Sequence, residues 1–261
     1  MLKLTEGAYC STIEMFMVKR PVIGIAMRLE LETRRFYLGR DYSEALAGLG
    51  AVPVHISLIP DVEYIKSVCS GLDGVLLPGS DSDVDPAFYG DSPHPKLGRV
   101  VPEKDTVDRL ILEQAEKLSL PVFGICYGMQ ALNVFRGGSL IQDVVSQVPS
   151  AIKHEQGVPL ARNSHQISVK SGSLLNEICG KESIFVNSHH HQAVRDIGKG
   201  LTATAWADDG VVECIEDAEG SSYCIGVQWH PELSWDTDPV SKQLFERFIS
   251  SCSQGSRSSG G

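Results

Sequence analysis

Over its first half the chain alternates short apolar runs with segments whose apolar residues recur at helical spacing, the pattern of βαβ units around a parallel sheet. Val22–Ala26 predicts a strand, residues 41–49 a helix ended by Gly50, and Val52–Ile56 the next strand. Residues 61–70 suit a helix, and Gly74–Leu77 suits a fully buried strand stopped by Pro78 and Gly79. Val107, Leu110, Ile111, Ala115 and Leu118 fall three and four apart, an apolar stripe on a helix that ends before Pro121. Residues 121–125 read as a short buried strand and Tyr127–Phe135 as a helix before Gly137 and Gly138.

After residue 160 the rhythm changes. Strand-like stretches at 166–170, 184–187, 201–207, 211–215 and 223–228 predict antiparallel additions to the sheet, and residues 239–249 a closing helix with Val240, Leu244, Phe245 and Phe248 on one side. The expected fold class is α/β: a flavodoxin-like, mixed but mainly parallel central sheet flanked by helices, with added antiparallel strands. With 261 residues, 42% of them hydrophobic, the chain can bury one full core. The expected organisation is an N-terminal extension over 1–20, one catalytic domain over 21–252, and a polar Gly/Ser-rich tail over 253–261. Met17 is a candidate natural start.

Charge and cysteine usage narrow the classes. Thirty-three acidic against 23 basic residues, a formal net of -10, give a phosphate backbone no electrostatic support, so no nucleic-acid partner is expected. No apolar run reaches the length of a membrane span or a secretory signal, which predicts no membrane partner. Seven scattered cysteines without a CxxC pair point to a reducing, cytoplasmic compartment.

The chemistry centres on Gly124-Ile125-Cys126-Tyr127-Gly128, a G-x-C-x-G thiol version of the nucleophile elbow. A sharp strand-to-helix turn puts its central residue in strained geometry, and flanking glycines let strand and helix approach. The positive end of the helix dipole favours a thiolate there. A lone cysteine is ordinarily a small buried hydrophobe. The glycine frame argues otherwise, and so does the late Trp229-His230-Pro231-Glu232. In an extended chain His230 and Glu232 share a side, so a carboxylate can orient an imidazole, completing a Cys-His-Glu set.

Together with LLPGSDSDVDPAFYG, EKDTVD, GICYGMQALNVFRGGSLIQDV, NSHQISV, VNSHHHQAV, DDGVVECIE and GVQWHPE, these residues make the sequence resemble the class I glutamine amidotransferases over about residues 20–250. Within them it resembles the free-standing γ-glutamyl-γ-aminobutyrate hydrolase-like peptidases. The resemblance implies Cys126 as nucleophile, His230 as base and Glu232 as orienter. It implies an oxyanion hole from the backbone N–H of Tyr127 and of Gly79, and a glutamyl pocket from Gln130 and the loop of Ser188, His189 and His190. Many relatives have Pro-Gly-Gly where this chain has Pro78-Gly79-Ser80, which leaves the second oxyanion donor open between Gly79 and Ser80.

Other clusters carry a plainer reading. His189, His190 and His191 cannot all converge on one ion from an extended loop, and no metal is expected. His165 reads either as a satisfied strand-edge histidine or as a substrate-side residue. Asp81, Asp83 and Asp85 start like a calcium loop but meet Pro86 and Ser92 where glycine and glutamate are needed, so they read as solvated turn carboxylates. Glu103 and Asp105 read as dipole partners at a helix start.

The expected activity is hydrolysis of a small-molecule γ-glutamyl amide through a thioester, with no cofactor. The alternatives are a glutaminase subunit giving ammonia to a separate synthase, and a non-catalytic ligand-binding protein that keeps only the fold. A homo-oligomer is left open.

Overall fold

The computed structural model describes residues 19–219 and 223–255. The expectations for residues 1–18, Met17 among them, and for 256–261 lie outside the described residues.

Thirteen strands form among the described residues, in chain order: β1 (Val22–Ala26), β2 (Arg28–Glu30), β3 (Arg35–Tyr37), β4 (Val52–Ile56), β5 (Gly74–Leu77), β6 (Val122–Ile125), β7 (Leu140–Ile141), β8 (His165–Val169), β9 (Ser183–Val186), β10 (Ala193–Val194), β11 (Leu201–Ala207), β12 (Val212–Asp217) and β13 (Cys224–Val227). The helices are α1 (Arg40–Gly48), α2 (Val62–Cys69), α3 (Pro102–Leu118), α4 (Tyr127–Phe135), α5 (Val144–Gln147), α6 (Leu174–Cys179) and α7 (Pro239–Gly255).

Nine strands build one sheet in the order β4-β1-β5-β6-β13-β12-β11-β8-β9. Its first five strands run parallel, and β12, β11, β8 and β9 continue antiparallel. The expected antiparallel additions therefore hold with one correction. Strand β13 is parallel to β6, in register from Cys224 on Val122 to Val227 on Ile125, and only its other edge is antiparallel. A run of apolar residues buried on both faces, as β13 is, carries no mark of pairing direction.

Helices cover both faces. Phe123 of β6 packs edge-on against Phe245 of α7, with ring centroids 5.4 Å apart, in the core that also holds Tyr42, Ala45 and Leu46 of α1. Val107, Ile111 and Ala115 of α3 and Met129 and Leu132 of α4 fill the opposite face. Val107, Ile111 and Ala115 of the α3 stripe are buried, whereas Leu110 is half-buried and Leu118, at the helix end, is exposed. Helix α7 runs six residues beyond the expected Ile249, placing the first part of the expected tail in helix and burying Cys252 against Gly74. The hairpin of β2 and β3 has no counterpart in the sequence reading, because Arg28 to Tyr37 is dominated by charge and its strands are three residues long.

Two further expectations change. Asp83 is buried and accepts the Gly98 N–H at 2.6 Å, so it fastens its loop rather than facing water. Asp105, expected to complement a helix dipole, turns inward to accept the Tyr127 hydroxyl. No helix among the described residues is long and apolar enough to cross a membrane.

Candidate active site

Three neighbouring parallel strands, β5, β6 and β13, end side by side, and the chain leaving each carries one part of the expected site: Gly79 and Ser80, Cys126, and His230. The carboxyl ends of strands in an open α/β sheet are where its ligands bind.

Cys126 takes φ 53° and ψ −108°, a conformation rarely adopted outside glycine, as the elbow requires. Two contacts hold it there. Its N–H donates to the Val227 carbonyl at 2.7 Å. A Cβ on Gly124 would lie 2.8 Å from the Gly128 carbonyl carbon, and one on Gly128 would lie 2.0 Å from the Leu77 carbonyl oxygen. Both glycines are thus needed for β5, β6 and α4 to meet.

His230 follows β13 and is fixed through its backbone. The Asn187 amide donates to the His230 carbonyl at 2.8 Å and accepts the His230 N–H at 2.8 Å. The ring nitrogen Nδ1 lies 2.6 Å from Glu232 Oε1, with Pro231 between them opening a 3₁₀ turn. Burial alone would lower the His230 pKa. The Glu232 carboxylate and the Cys126 sulfur on the other side of the ring outweigh burial and raise it to about 10. Cys126, His230 and Glu232 are therefore brought together as one constellation, with the imidazole between sulfur and carboxylate.

Gly79 lies flat against this constellation. A Cβ there would stand 2.7 Å from His230 Cε1 and 3.5 Å from Cys126 Cβ. Its N–H donates to the Tyr42 hydroxyl at 3.1 Å, and Arg28 Nε donates to its carbonyl at 2.6 Å. Tyr42 is buried on α1. Burial and the nearby Glu232 charge push its phenol well above the usual range. Ser80 follows Gly79, its hydroxyl 2.8 Å from that of Ser82.

The other expected pocket residues separate into groups. Gln130, one turn into α4, donates to the Gln192 carbonyl at 3.1 Å and to Gln228 Oε1 at 3.2 Å. Ser188 is buried, its N–H on Gln156 and its hydroxyl on the His154 carbonyl. His189 stands beside the constellation, its ring centroid 5.8 Å from that of His230 and its Nε2 2.9 Å from the Leu160 carbonyl. His190 is enclosed, with Nδ1 on the Gln192 carbonyl and Nε2 facing Glu213. His191 binds Asp83 at 2.8 Å, which joins its loop to the one after Ser80. The three consecutive histidines diverge, as expected. His165 is buried at the start of β8, with Nε2 3.2 Å from Glu213 Oε1.

Tyr42, Asn187, Arg28 and Glu213 have no role in the sequence reading. Tyr42 and Arg28 come from segments without a motif. Asn187 and Glu213 stand inside VNSHHHQAV and DDGVVECIE, where a signal exists but carries no role by itself.

The family model for peptidase C26 matches residues 21–232. The glutamine amidotransferase-like protein YvdE of Lactococcus lactis is 38% identical over 213 residues, covering 81% of this chain and 87% of that protein. The γ-glutamyl-γ-aminobutyrate hydrolase PuuD of Escherichia coli is 32% identical over 248 residues, covering 90% and 94%. A GMP synthase subunit from Thermoplasma acidophilum superposes with a TM-score of 0.65 at 16% identity, over 93% of this chain and 99% of that one, and so shares the fold.

Proposed function

The chain belongs to the peptidase C26 family of glutamine amidotransferase-like proteins, and on that premise we propose that it hydrolyses a γ-glutamyl amide to glutamate and a free amine. The observation that carries this reading is the placement of the His230 ring between Cys126 and Glu232 Oε1, the two neighbours that raise the imidazole pKa.

The Cys126 thiolate attacks the γ-carbonyl carbon, forming a C–S bond and an oxyanion. Backbone donors at the elbow stabilise that oxygen. One is the N–H of Tyr127, first residue of α4. The other is the N–H of Ser80, because the Gly79 N–H is already held by Tyr42. The C–N bond breaks as His230 gives its proton to the departing amine. Water then attacks the γ-glutamyl thioester, His230 takes a proton from it, and the C–S bond breaks to return the thiolate and free glutamate. Glu232 accepts the Nδ1–H and keeps Nε2 turned toward sulfur.

Gln130, Ser188 and His189 form the glutamyl side of the pocket, with Gln192 and Gln228 locking the Gln130 amide. The amine side lies toward the β2–β3 hairpin and the loop near Leu160, whose Leu31, Phe36, Val158 and Leu160 are exposed. An amine larger than ammonia, γ-aminobutyrate or a polyamine among them, suits exposed apolar side chains of this kind. The resemblance to a γ-glutamyl-γ-aminobutyrate hydrolase points the same way.

Steady-state kinetics of the purified chain on glutamine, γ-glutamyl-γ-aminobutyrate and a γ-glutamyl anilide test the proposal. A higher kcat/KM on one of the larger amides than on glutamine is expected. If glutamine is best, or if nothing is cleaved until a second protein is added, the chain is an ammonia donor instead.

A further inference from the structure

We propose that His154, His165, His190 and Glu213 form a closed tetrahedral site for a divalent cation of the zinc class, set behind the Cys126 constellation. The four residues come from the loop after α5, the start of β8, the loop between β9 and β10, and β12.

Three imidazole nitrogens converge on one carboxylate oxygen. His154 Nδ1, His165 Nε2 and His190 Nε2 lie 3.5, 3.2 and 3.6 Å from Glu213 Oε1. The ligand atoms of His154, His165 and Glu213 all fall within 4.8 Å of one another. Hydrogen bonds from N–H to oxygen centre on roughly 2.9 Å, so these contacts are long for that purpose. Metal bonds of about 2.0–2.1 Å in a regular tetrahedron put neighbouring ligand atoms roughly 3.3–3.4 Å apart, and the three nitrogen-to-oxygen distances of 3.5, 3.2 and 3.6 Å bracket that spacing.

The hydrogen bonds on the far side of the rings strengthen the case. His190 Nδ1 is 2.9 Å from the Gln192 carbonyl, which can only accept, so Nδ1 carries a proton and Nε2, facing Glu213, is the atom available as a ligand. His154 Nε2 is 2.9 Å from Asp209 Oδ2, a carboxylate that also accepts the Ile152 N–H, so the proton sits on Nε2 and Nδ1 is left bare. The Ser188 hydroxyl near that Nδ1 spends its proton on the His154 carbonyl. Two ring nitrogens whose partner nitrogen already donates elsewhere thus face one carboxylate, an arrangement that needs a cation or added protons between them. A ligand histidine backed by a carboxylate or carbonyl is the usual outer arrangement of a zinc site.

Burial raises the stakes. All four residues are at most 9% exposed, and neither His190 Nε2 nor Glu213 Oε2 has a hydrogen-bond partner among the described residues. One dication with three neutral imidazoles, Glu213 and Asp209 is electrically neutral. Three nitrogens and one oxygen in a tetrahedral set match zinc, and four protein ligands leave no open position, so the site is structural. It would tie the loop bearing Ser188 and His189 to the sheet.

The test uses the full chain. Metal analysis of the purified protein is expected to find one zinc per chain. After removal by a chelator, titration with Co²⁺ alone is expected to give the intense visible bands of four-coordinate cobalt, saturating at one equivalent. The signal should persist in Cys126→Ala, which removes the other strong ligand nearby, and should vanish in Glu213→Gln and in His165→Gln. The wild-type titration stands whether or not those variants fold. No stoichiometric zinc together with no cobalt spectrum in the wild-type chain would mean that protons fill the cluster, and the proposal fails. It also fails if the cobalt is six-coordinate, or if a folded Glu213→Gln chain keeps the spectrum.

Discussion

Tyr42 accepts a hydrogen bond from the backbone N–H of Gly79 at 3.1 Å, so a side chain of α1 sets the direction of the peptide that lies against Cys126 and His230. An Arg28 N–H reaches the same hydroxyl at 3.3 Å while Arg28 Nε holds the Gly79 carbonyl. Both ends of the glycine are thereby fixed, and the next N–H, that of Ser80, takes its aim from them.

Tyr42→Phe leaves the Gly79 N–H buried without an acceptor, which costs about 1–3 kcal/mol unless the peptide turns. Turning it moves the Ser80 donor. We expect kcat to fall by roughly 10-fold or more with KM little changed, since the loss is of transition-state contacts. Circular dichroism should be unaltered. A variant with wild-type kcat would show that Tyr42 is only a packing residue.

Much of this arrangement is legible in the sequence where a local rule sets it. The elbow glycines, the His-x-Glu spacing and the strand boundaries of β1, β4, β5 and β11 each follow from residues within a few positions of one another. What is not legible depends on pairing at long range. The parallel edge of β13, the Tyr42 contact and the inward turn of Asp105 are decided by which segments the fold sets side by side. His154, His165, His190 and Glu213 lie on four separate segments, so no spacing along the chain announces them. The run of three consecutive histidines points instead to residues whose side chains diverge.

Replacing Cys126 distinguishes the chemistry from the backbone strain. Cys126→Ala should abolish turnover and keep the strained φ of 53°, whereas Cys126→Gly should abolish turnover and relieve it. We expect the glycine variant to exceed the alanine variant in stability by about 1 kcal/mol, net of glycine's larger unfolded entropy. Urea unfolding of both measures the difference. An alanine variant that is clearly the more stable of the two would remove strain from the account of the elbow.

Asp105 provides a separate pH test next to Tyr127. Burial, opposed by the Tyr127 hydroxyl, raises its carboxyl from 3.8 to about 6. The folded state therefore holds this proton more tightly than the unfolded chain, and the associated stability is present below pH 3.8 and lost as pH rises through 6. That loss amounts to roughly 3 kcal/mol. Asp105→Asn cannot ionise. Its stability relative to wild type should rise between about pH 4 and about pH 7.5, whatever fixed cost the amide adds. Denaturant melts at the two pH values measure this, and a difference independent of pH would mean that Asp105 is solvated.

The strongest test of the constellation is the pH profile of Glu232→Gln. In the wild type, burial lowers the His230 pKa, but Glu232 and Cys126 overcome it and the ring stays protonated up to about pH 10. A raised folded pKa means that the stability tied to this proton is complete below about pH 6.5, the ordinary histidine value, and disappears as pH passes about 10. The competent form for acylation carries the same proton, so the alkaline limb of kcat/KM should also fall near pH 10. The substituted glutamine keeps the shape of the side chain but removes one of the two neighbours that raise the His230 pKa. The alkaline limb should then move to lower pH, the maximum should drop by on the order of 10- to 1000-fold, and His230→Ala should be worse still. An unchanged limb in a folded Glu232→Gln chain would separate Glu232 from the chemistry and leave Cys126 and His230 as a dyad.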